Sequence, residues 1–137
     1  MKLQKVFVWA NIVLGTILAL TPFMLFPVCQ SSKIDGSNMN CFYSGIFVTV
    51  LGVSIAAFSF VKYRVISAVL SSCAGIACCF VPNGVIHIAG ENWACGLCAD
   101  PTHACRAVTM PAVGVLVALI VAVNVISLIV NFVRGGK

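Results

Sequence analysis

Four runs of apolar residues, 6–26, 42–61, 65–81 and 111–133, contain no Asp, Glu, Lys or Arg. Each is near the ~20 residues that a helix needs to cross the hydrocarbon layer of a bilayer. With no water there to satisfy backbone N–H and C=O groups, each run must close its hydrogen bonds within itself, as an α-helix does. The sequence therefore predicts an all-α integral membrane four-helix bundle, one domain over residues 1–137, built from two helical hairpins. Composition points the same way. With 61% of its 137 residues hydrophobic and 8% charged, the chain lacks the polar side chains to cover a water-soluble globule of this size. The second and third runs are short, so Tyr43 and Tyr63 are expected to anchor their ends at the interface.

Lys2 and Lys5 precede the first run as the charged region of a secretory signal does. The apolar stretch is longer than a usual signal core, and no A-x-A-like site follows it. In "LFPVC", Val28 stands where a lipoprotein-type processing site has Gly or Ala. The first run is thus expected to be a retained span.

Charge orients the bundle. Lys2, Lys5, Lys62, Arg64, Arg134 and Lys137, six of the eight basic residues, fall on one side of the four spans. The positive-inside rule makes that side cytoplasmic. Both termini are then inside, and the longer loops, 27–41 and 82–110, face outward with Lys33, Arg106 and all three acids, Asp35, Glu91 and Asp100. The net charge of +5 is accordingly a topology signal, and no nucleic-acid partner is expected.

Cys29, Cys41, Cys95, Cys98 and Cys105 all fall in those outer loops, and the cytoplasmic turn and tails have none. Disulfides persist in that compartment. Three kinds of chemistry fit this asymmetry. In the structural one, Cys29 with Cys41 closes the first loop and two of the three second-loop cysteines close the other, with the fifth left free, paired between chains, or matched to Cys78 or Cys79. In the redox one, Cys95-Gly96-Leu97-Cys98 is a C-x-x-C, whose spacing lets one sulfur be attacked while its neighbour resolves the mixed disulfide, and Arg106 stabilises the thiolate. In the third, Cys95, Cys98, His103 and Cys105 supply a Cys3His tetrahedron for Zn2+ or Cu(I). The second, distant C-x-x-C usual in such metal sites is absent from the sequence. His87 is expected to be an interfacial histidine held by backbone or headgroup contacts, and His103 is the better ligand candidate.

The redox layout resembles that of vitamin K epoxide reductase and, with the loop order exchanged, the bacterial disulfide bond formation protein B. That resemblance implies a shuttle pair, Cys29 and Cys41, passing electrons through Cys95 and Cys98 to a quinone. It is architectural, because here the C-x-x-C lies in a loop a dozen residues before span four, whereas in the reductase family it lies within a span. A closer resemblance covers nearly the whole chain. "PVCQSSKIDGSNMNC" after span one and "CADPTHACRAVTMP" before span four are similar to an uncharacterised bacterial and archaeal family of small four-span proteins, known as a domain of unknown function. Its pattern falls on Cys29, Met39, Cys41, Cys98, Cys105, Arg106 and Pro111. It implies the pairs Cys29–Cys41 and Cys98–Cys105, a prokaryotic plasma membrane, and an accessory partnership with ABC-transporter subunits. Phe42 stands where members often carry a histidine, which weakens a metal role for the first loop.

Within the spans, Ser67, Ser71, Gly75 and Cys79 recur every four residues, as do Gly114, Ala118 and Ala122. Such stripes let helix backbones approach closely, so they are expected to be packing faces, within the bundle or in a homo-oligomer. Cys73, Cys78 and Cys79 are expected to serve there as small apolar residues. Asn124, about 15 Å from Arg134 along the helix, should find a partner across the bundle. No phosphate-binding glycine loop, H-E-x-x-H or G-x-S-x-G occurs. The sequence thus points first to an accessory or interaction subunit of a membrane assembly with no assigned cofactor, second to a quinone-linked thiol oxidoreductase, and third to a metal-binding membrane protein.

Overall fold

The computed structural model describes residues 2–28, 36, 40–83, 86–87, 94–96 and 102–135. Helix α1, Lys2–Leu20, runs into a π turn, Thr21–Leu25. Helices α2, Asn40–Phe58, and α3, Arg64–Asn83, form a hairpin, and α4, Met110–Gly135, follows a second π turn, Cys105–Thr109. Between α3 and α4 lies a minimal antiparallel ladder of β1, Ile86–His87, and β2, Ala94–Cys95, pairing Ile86 with Cys95 and His87 with Ala94. The protein is an all-helical membrane bundle. Three of its helices are long and apolar enough to cross a bilayer, while the apolar part of α3, Arg64–Phe80, is shorter.

Successive helices pack antiparallel and α4 closes the ring on α1. At one end, Gln4 Nε2 donates to Asn131 Oδ1 at 3.0 Å and Arg64 Nη1 reaches the Gln4 carbonyl at 3.4 Å. The start of α1, the α2–α3 turn and the finish of α4 therefore share this basic end. Phe60 N–H to the Ala57 carbonyl, Val61 N–H to the Phe58 carbonyl and Ser67 Oγ to the Phe58 carbonyl close the tight turn there.

Polarity runs opposite to that of a soluble bundle. Trp9, Val53, Phe80, Phe132 and many other large apolar side chains face outward, an arrangement that water would penalise and lipid does not. Inside, Leu18, Val48, Ile55, Ala74, Cys78, Val113, Val117 and Ile120 form one core, and Cys78 fills it as a small apolar residue. Asn11 and Asn124 meet within the bundle, Nδ2 of Asn11 donating to Oδ1 of Asn124 at 2.8 Å.

The tightest seam joins α1 and α2. A Cβ on Gly52 would lie 2.6 Å from the Ala19 nitrogen, and one on Gly15 would lie 2.9 Å from the Gly52 carbonyl oxygen. These clashes are with backbone, so only glycine permits this approach. It also brings Thr49 Oγ1 within 3.0 Å of the Ala19 carbonyl. In contrast, the α4 stripe lies outside the bundle. Ala118 and Ala122 are exposed and the space beside Gly114 is open, whereas Val113, Val117, Ile120 and Asn124 face inward.

The last helical segment also begins earlier than the sequence places it, so Cys105, Arg106 and Thr109 are helical rather than in a loop. Pro111 explains the form of that extension. It has no N–H for the Ala107 carbonyl and its ring excludes that oxygen from the usual register. The preceding turn widens, and Met110 N–H bonds to the Cys105 carbonyl. Pro27 has the same effect on the turn that follows α1, where Phe26 N–H reaches back to the Thr21 carbonyl at 2.8 Å.

Replacing Gly52 with Val should force α1 and α2 apart and cost about 1–3 kcal/mol or more. Gly114→Val, with open space beside it, should leave the thermal unfolding midpoint of the reconstituted monomer nearly unchanged. Equal effects of the two changes would contradict the close-contact seam.

Candidate functional site

The end opposite the basic residues gathers the cysteine motifs. Cys41 lies in the first turn of α2 because that helix starts at Asn40, and Cys105 opens the second π turn. Both are 1% exposed and share one apolar cluster with Val28, against which Phe23 packs. The two loops, separate in sequence, thus bring one cysteine each to a common buried point. Only a void of about 10 Å³ remains there, lined by Pro22, Val28, Cys41, Ser44, Cys105 and Thr109 among others. That is at the lower limit of the space one water needs.

Hydrogen bonds lock the cluster in place. Thr109 Oγ1 donates to the Phe26 carbonyl at 3.0 Å and ties the π turn of α4 to the chain leaving α1. Val28 N–H donates to the Pro22 carbonyl at 2.9 Å and turns Val28 into the cluster. Phe42, where the resembled family often has histidine, meets Phe23 edge-on at 5.7 Å and Tyr43 at 6.0 Å. Its place is filled by aromatic packing.

The C-x-x-C segment docks on α2 through its second residue. The Gly96 N–H donates to Ser44 Oγ at 2.9 Å, and the hydroxyl lies 3.2 Å from the Gly96 carbonyl and 3.2 Å from the Asn40 carbonyl. Ser44 and Gly96 are buried, and Ser44 is one helical turn beyond Cys41. The backbone at Cys95 and Gly96 is therefore held beside the Cys41 end of α2.

His103 is half-buried. Its carbonyl accepts from the N–H groups of Arg106 and Ala107 and so caps the helix start, while its Nδ1 is buried with no hydrogen-bond partner among the described residues. Arg106 is exposed at the same helix start. Cys29, Met39 and Cys98 lie outside the described residues, as do the side chains of His87 and Cys95, whose backbones belong to β1 and β2. Of the redox set Cys29, Cys41, Cys95 and Cys98, only Cys41 is thus placed as a side chain, and of the metal set only His103 and Cys105 are. Among the described residues no three His, Cys, Asp or Glu side chains cluster as a metal site.

Of the packing residues, Ser67, Ser71 and Gly75 are buried on α3, and Gly75 faces Val117 and Ile120 of α4. Sequence reasoning missed Ser44, Thr109 and Asn11. The signals for them were a hydroxyl one turn after Cys41, another just before Pro111, and a single amide in the first span at a depth matching Asn124.

Two cysteine motifs meeting on a four-helix scaffold can be set beside known proteins. Residues 11–130 match the family described as Domain of unknown function (DUF4418). The chain belongs to that family. No curated protein and no solved structure matches it. The matched stretch includes both DUF4418 cysteine loops, the Ser44–Gly96 clasp and the Asn11–Asn124 pair.

Ser44→Val should release Gly96 from α2. One lost hydrogen bond of about 1 kcal/mol, with a buried amide left unsatisfied, should speed Gly96 amide exchange on the order of tenfold. Ser54→Val, which removes a hydroxyl bonded only within its own helix, should leave that exchange unchanged. Unaltered Gly96 exchange in Ser44→Val would contradict the clasp.

Proposed function

We propose that this DUF4418 chain is a prokaryotic plasma-membrane protein, with both termini cytoplasmic, that serves as an accessory subunit of a larger membrane assembly. An ABC transporter is the assembly class that its sequence resemblance implies. Its outer loops form a cap stapled by Cys29–Cys41 and Cys98–Cys105. The burial of Cys41 and Cys105 in one cluster supports that cap, because buried sulfurs in apolar surroundings suit inert bridges better than exchange. The gathering of Lys2, Lys5, Lys62, Arg64 and Arg134 at the opposite end supports the orientation.

The observation that carries the accessory role is the unspent stripe of α4. The α3 stripe of Ser67, Ser71 and Gly75 is used within the bundle, but Gly114, Ala118 and Ala122 turn away from it. Small side chains on a lipid-facing surface offer a partner helix the close approach on which association in membranes depends. Mild-detergent purification of the full chain should recover a stable partner or homo-oligomer, and Ala118→Leu should release it without altering monomer stability. A strictly monomeric, partner-free preparation would overturn the accessory role.

One observation favours a second role in thiol oxidoreduction. The Ser44 clasp holds Gly96, next to Cys95, one helical turn from Cys41. In that role the Cys29 and Cys41 dithiol gives two electrons and two protons to a Cys95–Cys98 disulfide, which passes them to a quinone and forms the quinol. Cys98→Ala should then accumulate a mixed disulfide on Cys95, and added quinone should shift the wild-type thiols toward oxidation. Bridges indifferent to both treatments would exclude this role.

A further inference from the structure

The basic end of the bundle is hollow. A cavity of about 350 Å³ opens beneath the α2–α3 turn and descends between α1, α3 and α4, with Lys62 and Arg64 at its rim and Ser67, Ser127, Asn11 and Asn124 further in. Its size is at the lower end of small-molecule sites and equals the liquid volume of roughly a dozen waters. Below the amides, Leu18, Ile55, Val117 and Ile120 close the core, so the cavity is a blind vestibule and not a pore.

Its floor is chemically unfinished. Asn11 is 6% exposed and Asn124 1% exposed, and their one mutual hydrogen bond leaves Asn11 Oδ1 and Asn124 Nδ2 without partners among the described residues. A buried amide with half its valence open is costly unless something in the cavity completes it. One orphan accepts and the other donates, which is the complement of a hydroxyl group. The rim supplies the other half of a recognition pattern. None of the described residues is acidic, so no carboxylate among them offsets Lys62 and Arg64.

We propose that the vestibule binds a small soluble polyol phosphate, its anion held by Lys62 and Arg64 and a hydroxyl seated between Asn11 Oδ1 and Asn124 Nδ2. An anionic phospholipid presents the same glycerol-phosphate chemistry at the membrane surface. Its acyl chains, however, would have to share the inner end of the cavity, where Asn11, Asn124, Ser67 and Ser127 stand among Phe7, Val8 and Ala68, and those amides and hydroxyls assign the site to a free solute. The site is independent of the cysteine-bearing end and of any partner on α4.

The test uses the full chain in nanodiscs of phosphatidylcholine with radiolabelled glycerol 3-phosphate as probe. Saturable binding is expected at millimolar or lower concentration. Arg64→Gln should weaken it at least tenfold, as should Ser127→Phe, which fills the cavity and leaves the Asn11–Asn124 bond in place. Thermal unfolding of each variant verifies folding, and Lys62→Gln, at the exposed rim, provides a further variant that should weaken binding if Ser127→Phe fails to fold. Replacing part of the phosphatidylcholine with phosphatidylglycerol should not displace the probe. Absence of saturable binding by the wild type, binding unaffected by cavity filling, or displacement by phosphatidylglycerol would each overturn the proposal.

Discussion

Hydrocarbon offers a polar group nothing to bond with, and the rest of this molecule follows from that constraint. Backbone groups are satisfied by winding each apolar run into a helix, so hydrophobicity cannot then hold the helices to one another, because lipid is as apolar as Leu. Cohesion has to come from close contact and from the few polar side chains that the spans retain. Both are present. Gly15 and Gly52 bring α1 and α2 to backbone contact, and Asn11, Thr49, Ser67, Ser44 and Asn124 all make bonds between elements. The outer surface is left to Trp9, Phe80, Phe132 and their neighbours, which need no partner in lipid.

The same constraint explains what the sequence made legible. Runs without charge show where the helices are, since a charged side chain in hydrocarbon is costly enough to be avoided. Faces are harder to read. Helix α4 is apolar all round, so Gly114, Ala118 and Ala122 and the alternative set Val113, Val117, Ile120 and Asn124 have equally good helical spacing. The bundle chose the second set because it carries the bulk to fill a core and the amide that needs Asn11. The α1–α2 seam rests on glycines seven residues or more from any other glycine of their own spans, so no repeat announced it. Its signal was weaker, Gly15 with Ala19 and Gly52 with Ala56, each four apart.

At the cysteine end the residue types were readable and their convergence was not. Nothing in the spacing within either loop says that Cys41 and Cys105 will be buried together, because that depends on where two helices begin. The second of those beginnings depends in turn on proline. Pro111 widens the turn before it so that Cys105 joins the helix, and Pro27 widens the turn that follows α1, beyond which Val28 is directed inward. A sequence pattern that stops at the last apolar residue misplaces both. The polar cavity at the other end was equally hidden, since its lining comes from three helices and a turn.

The amide pair between the first and last helices bears on how the chain is made. As the segments enter the bilayer in order, Asn11 is committed to hydrocarbon while the helix carrying Asn124 has yet to be synthesised. The first three helices must wait with an unmatched amide among them, and the ring closes only when the fourth arrives. Biogenesis therefore ends on a single late step that a chain truncated before α4 is unable to take.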